Sequence, residues 1–72
     1  MIPVKADIAG SVWKITSKVG DVVDEEGVLL IMESMKMEIQ VTAPAAGTVK
    51  EIHVKEGDLI QEGATAVTLD AS

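Results

Sequence analysis

The chain has no cysteine, so neither a disulfide nor a thiolate metal site contributes to its stability. Arginine is also absent, all six basic residues being lysines, and bidentate recognition of phosphate or carboxylate is excluded with it. Aromatic side chains are reduced to Trp13 and imidazoles to His53. That histidine has only ordinary carboxylates as neighbours, so no zinc centre is expected. No cluster of lysines exists to neutralise phosphates, and the formal charge of -6 argues against nucleic acid as a partner. The longest apolar run, Val28 to Met32, is far too short to cross a bilayer. Nothing at the N-terminus follows the basic-then-apolar plan of a signal peptide. These absences predict a soluble, monomeric, cytoplasmic protein dispersed by its acidic surface, with no membrane or nucleic-acid partner.

What is present is a small, β-branched chain. Its 72 residues make one domain, 1–72, near the lower limit for a self-sufficient core, where folding buries only ~60% of the unfolded surface. Valine and isoleucine dominate the apolar set and favour strands. Ile2-Pro3-Val4 reads as an edge strand, since proline is tolerated only at a strand's edge or start. Ala9-Gly10 marks a turn. Ser11 to Ser17 is strand-like, but Val12 and Ile15 stand three apart, which predicts a bulge or a barrel corner. Gly20-Asp21 turns the chain ahead of Val22-Val23. Val28 to Met32 is apolar on both faces and cannot be phased. Met37, Ile39 and Val41 then alternate with Glu38, Gln40 and Thr42, the pattern of a half-buried strand. Pro44 to Gly47 and Gly57-Asp58 are turns, with strands over 48–54 and 64–69. Even spacing and glycine punctuation predict an all-β barrel or sandwich.

The second half repeats the first. A shift of 37 residues superimposes 6–33 on 43–70 without a gap, and nine of the 28 pairs are identical. Among them Ala9-Gly10 falls on Ala46-Gly47, Val12 on Val49, Ile15 on Ile52, and Gly20-Asp21 on Gly57-Asp58. Such self-similarity indicates two copies of one supersecondary unit, about 1–36 and 37–72, neither able to bury its apolar face alone. One position breaks the pattern: Glu26 stands where the repeat has Gly63. Either Glu26 carries backbone strain, or the turn shifts so that Gly27 takes the special conformation.

The repeat singles out Glu33-Ser34-Met35-Lys36-Met37-Glu38. Lys36 sits at the junction of the two units, and a pseudo-twofold axis relating them would put this hairpin at one end of the barrel and both termini at the other. Two-residue hairpin turns normally use Asn, Asp or Gly, and Ser34 to Met37 has none. Local turn chemistry is overridden, as happens most often at functional sites, and methionines exposed at such a tip waste apolar surface unless something binds them. Trp13 reads as a packing residue, His53 as a surface strand residue, and Glu33 and Glu38 as solvated strand residues. No residue pattern suggests a catalytic group of the chain's own.

Glu33-Ser34-Met35-Lys36-Met37 resembles the Met-Lys-Met attachment motif of biotinyl domains, the biotin carboxyl carrier proteins of biotin-dependent carboxylases. The likeness extends over both Gly-Asp turns and Ala45-Ala46-Gly47, and the chain's length is most similar to small single-domain biotin/lipoyl attachment proteins. It implies a flattened barrel-sandwich of two four-stranded antiparallel sheets with a pseudo-twofold repeat, the lysine lying between strands 4 and 5. It further implies that a biotin–protein ligase joins biotin to Lys36 by an amide, by way of biotinyl-adenylate, with Met35 and Met37 read by the ligase. Glu33 and Ser34 flank the site, Ser34 replacing the alanine of many biotinyl domains, and Glu33 is placed to orient the lysine. Biotin would carry carboxyl groups between a biotin carboxylase and a carboxyltransferase, the domain itself catalysing nothing. A lipoyl carrier shares the fold but usually shows Asp before its lysine and Ala after. An unmodified adaptor module is the third reading, and it gives no reason for an exposed lysine between methionines.

Overall fold

The computed structural model describes residues 1–71. Eight strands follow in order: β1 (Ile2–Lys5), β2 (Gly10–Ile15), β3 (Val22–Val23), β4 (Val28–Ser34), β5 (Met37–Thr42), β6 (Gly47–Ile52), β7 (Leu59–Ile60) and β8 (Thr65–Ala71). They form two four-stranded antiparallel sheets, ordered β1-β8-β6-β3 and β5-β4-β2-β7. Advancing each strand by one repeat carries the first order onto the second, so the internal repeat is a pseudo-twofold in space. β3 and β7 are too short for any alternation to be read, and the sequence marks β7 only through the repeat, which places Leu59-Ile60 on Val22-Val23.

The core pairs off by the same operation. Val12 and Val49, Leu30 and Val67, Met32 and Leu69, and Ala6 and Ala43 are all buried. Each copy supplies half of one interior. With full burial of a Leu, Val or Met contributing ~1.5–3 kcal/mol, these pairs are the main source of stability in a chain without disulfides.

Bulges explain the two stretches that resisted phasing. The β2–β4 register slips between Val12 and Lys14, leaving Trp13 unpaired, and the β6–β8 register slips at the equivalent place, between Val49 and Glu51. The Val12–Ile15 spacing therefore does mark a bulge. In β4 the register against β5 slips between Val28 and Leu30, so the consecutive Leu29 and Leu30 are both fully buried while Val28 and Ile31 are only half-buried. Trp13 is not a packing residue. The bulge turns it outward, and it is 52% exposed.

Turn chemistry also follows the repeat. Gly20 and Gly57 have φ of 98° and 92°, and the Asp21 and Asp58 carboxylates each accept the backbone N–H three residues earlier, of Lys18 and Lys55, at 2.9 Å. Gly63 has φ 86°, and its counterpart Glu26 has φ 67°. Glu26 thus holds the left-handed conformation itself, and the alternative in which Gly27 takes it is ruled out. A left-handed non-glycine residue costs ~1–2 kcal/mol, and glycine's extra unfolded-state freedom returns ~0.4–1 kcal/mol of that. Glu26→Gly is therefore expected to stabilise the domain by about 0.5–1 kcal/mol, a rise of a few degrees in Tm. A thermal melt showing the variant at or below wild type would contradict the strain at this turn.

Candidate functional site

The β4–β5 hairpin closes at the Ser34–Met37 pair, leaving Met35 and Lys36 as a two-residue loop. Their φ values are 52° and 64°, positive at both central positions as in a type I′ turn, whose twist matches that of the flanking strands. Asn-Gly would adopt this without penalty, whereas methionine and lysine there cost ~1–2 kcal/mol each. The long paired strands below hold the turn in place against that cost.

A second tie fixes the base of the hairpin. The Ser34 hydroxyl donates to the Ala9 carbonyl at 2.8 Å, binding the β1–β2 connection to the end of β4. Gly10 passes so close to β4 that a Cβ on it would lie 2.5 Å from the Glu33 carbonyl oxygen and 3.1 Å from the Ser34 Cβ. Gly47 makes the matching approach to Asp70, at 2.5 Å from its carbonyl oxygen. The sequence marked Ala9-Gly10 only as a turn. Gly10 in fact opens β2 and is needed for the close passage. Its identity with Gly47 across the repeat was the available signal.

At the tip, Met35 is 88% and Met37 60% exposed, and Lys36 is exposed between them. Met37 shares the inward side of β5 with Ile39 and Val41, but burial declines along the strand from Val41 through Ile39 to Met37, because the core ends before the tip. Glu33 and Glu38 stand directly opposite one another across the hairpin, both exposed. Facing like charges are mildly unfavourable, and a cationic partner surface would relieve them. Among the described residues the only cation–carboxylate approach within 4.0 Å is His53 Nδ1 to Glu51 Oε2, at 3.9 Å. Neither glutamate therefore holds the Lys36 ammonium. His53, just beyond β6, also meets the Thr68 hydroxyl at 2.7 Å, and both groups lie in the other sheet from the hairpin. The result is one primary amine at an apex, free of ion pairs, between two solvent-facing thioethers.

A family model described as "Biotin-requiring enzyme" matches residues 3–69. The chain is 42% identical over 69 residues to the biotin/lipoyl attachment protein of Bacillus subtilis, covering 96% of this chain and 94% of that one. It is 41% identical over 64 residues to the biotin carboxyl carrier protein of Streptococcus mutans, covering 89% of this chain but only 49% of the relative. Among solved structures, the urea carboxylase of Kluyveromyces lactis matches with a TM-score of 0.92 at 30% identity, over 96% of this chain and 6% of that one. The chain spans nearly all of the first relative, about half of the second and a small part of the carboxylase. By its sequence, its two-sheet fold and its hairpin, this chain belongs to the biotin/lipoyl attachment family, and it is homologous to the biotin carrier domains of carboxylases.

Proposed function

We propose that Lys36 carries biotin in amide linkage and that the domain presents it in turn to a biotin carboxylase and a carboxyltransferase. The observation that carries this reading is the exposed Lys36 amine at the apex of a strained two-residue turn, with no carboxylate holding it. These residues fit a group joined by acylation. An exposed, unhindered amine can attack an activated carboxyl and lose a proton as the leaving group departs, and the apex keeps the barrel clear of the enzyme that delivers it. Met35 and Met37 flank the amine with apolar surface for a biotin–protein ligase to read, and Glu33 and Glu38 offer it negative charge. Biotin when bound supplies the group that takes up and releases carboxyl. The chain's own part is to hold that group at a fixed apex, and it performs no catalysis itself. Methionines on both sides of the lysine, and relatives named as carboxyl carriers or carboxylases, favour biotin over lipoate.

Lys36→Arg keeps the charge but removes the acylable amine. It is expected to abolish modification while changing stability by no more than ~0.5 kcal/mol. Acylation turns an ammonium into a neutral amide, so the formal charge goes from -6 to -7 (-6 - 1). Ion exchange after incubation with ligase, ATP and biotin should resolve a more acidic species for wild type and none for the variant. A single unshifted species for both would overturn the reading, and a shifted species in Lys36→Arg would move the site to another lysine.

A further inference from the structure

A groove of about 360 Å³ opens between the two sheets where both have an unpaired edge strand, β1 on one side and β5 on the other. Ile8, Ile39 and Pro3 line it with apolar surface, Met32 lies beneath, and Gln40 and Asp7 contribute polar groups. Its volume is at the lower end of the range of small-molecule pockets, ~300–1,000 Å³. The hairpin closes on the Ser34–Met37 pair, and the antiparallel ladder alternates from there. The Gln40 backbone N–H and C=O therefore point away from β4, toward the open edge. One wall, the Asp7–Ile8 connection, is tied to the hairpin base through the Ser34–Ala9 hydrogen bond.

We propose that this groove docks, in cis, the ring of the biotin carried on Lys36, giving the arm a parked position on its own domain. The inference rests on the reading of Lys36 as the biotin site and extends it to a second contact. The chemistry matches: the bicycle has an apolar thioether side suited to Ile8, Ile39 and Pro3. Its cyclic urea has one C=O and two N–H groups, suited to the Gln40 backbone N–H and C=O at the open edge and to the Asp7 carboxylate. The reach matches as well. Eleven bonds of about 1.5 Å separate the lysine Cα from the ring, and with the zigzag's shortening they span roughly 14 Å. Along β5, Ile39 and Gln40 lie about 10 and 14 Å from Lys36 at ~3.4 Å per residue. An extended arm folded back along the strand edge thus brings the ring to the groove. Parking would shield the ring's apolar face between encounters, and release would then be part of each transfer.

The test uses the whole chain, biotinylated with purified ligase and checked by intact mass, against its unmodified form. Backbone amide shifts should change at Asp7, Ile8 and 39–42 as well as around Lys36, with NOEs between ring protons and the Ile8 and Ile39 methyls. If the ring is docked about two-thirds of the time, avidin should capture it about threefold more slowly from wild type than from Asp7→Ala/Ile8→Ser. Shift changes confined to 34–38, with equal capture rates for both proteins, would overturn the parked arm and leave biotinylation standing. Absence of the mass increment would overturn the Lys36 reading itself, and this inference with it.

Discussion

Replacing Met35 with aspartate and Met37 with alanine is expected to cut the initial rate of biotinylation by about 30-fold or more. An apolar contact that must accept a carboxylate loses ~2 kcal/mol or more, and ~2 kcal/mol corresponds to about 30-fold. The same charge left in water costs almost nothing. Both side chains are exposed in the free domain, so their removal leaves the core untouched. Met35 also occupies a left-handed position, which aspartate tolerates better than methionine. The double variant should therefore fold at least as well as wild type, and its rate loss cannot be put down to unfolding. Met35→Leu, still apolar and close in volume, should be modified at nearly the wild-type rate. The comparison is of initial rates with purified ligase and ATP, read by mass spectrometry on domains with matching circular dichroism. Equal rates for wild type and the double variant would leave hairpin position as the whole recognition signal.

The second large effect concerns the close passages that the repeat duplicates. A Cβ at Gly10 or Gly47 would stand 2.5 Å from a backbone carbonyl oxygen, of Glu33 or Asp70 respectively. Backbone cannot rotate aside as a side chain can, so Gly10→Ala and Gly47→Ala should each lose about 1–3 kcal/mol, the usual cost of overpacking. Their consequences for modification should differ. Gly10 lies under the base of the hairpin, and forcing β2 and β4 apart there also strains the Ser34–Ala9 hydrogen bond. Small misplacements of a reacting group have large kinetic costs, so Gly10→Ala should be biotinylated about tenfold or more slowly. Gly47→Ala disturbs the symmetry-related place in the other sheet, under β8, and should keep a near wild-type rate while folded. Melts and rates on the pair separate stability from presentation. Equal rate losses in both would mean that the hairpin only reports global stability.

Much of this architecture was legible in the sequence because the repeat is gap-free. The paired glycines and Gly-Asp turns located equivalent corners, and the junction of the copies located Lys36. The clean alternation from Met37 to Val41 gave β5 and its inward side. Bulges hid other features. Val28 to Met32 has no period because Leu29 and Leu30 both turn inward where the ladder slips. Trp13, the largest apolar side chain, reads as core by chemistry but is the extra residue of the β2 bulge and faces solvent. The left-handed pair Met35-Lys36 was visible only as a missing turn former, since propensity gives no sign of a conformation imposed by the strands on either side. Strain at Glu26 could be seen as one of two alternatives, through its alignment with Gly63, but the choice between them needed the backbone itself. The groove between β1 and β5 had no sequence signal, because it is built from segments far apart in the chain.

The most direct test of the central claim is intact mass followed by peptide mapping after co-expression with a biotin–protein ligase, for wild type and Lys36→Arg side by side. The account predicts that wild type gains the mass of one biotinyl group, that the modified peptide contains Lys36, and that the arginine variant gains nothing. A wild-type protein with no added mass, with a lipoyl increment in cells that supply both cofactors, or with biotin mapped to a different lysine would contradict it.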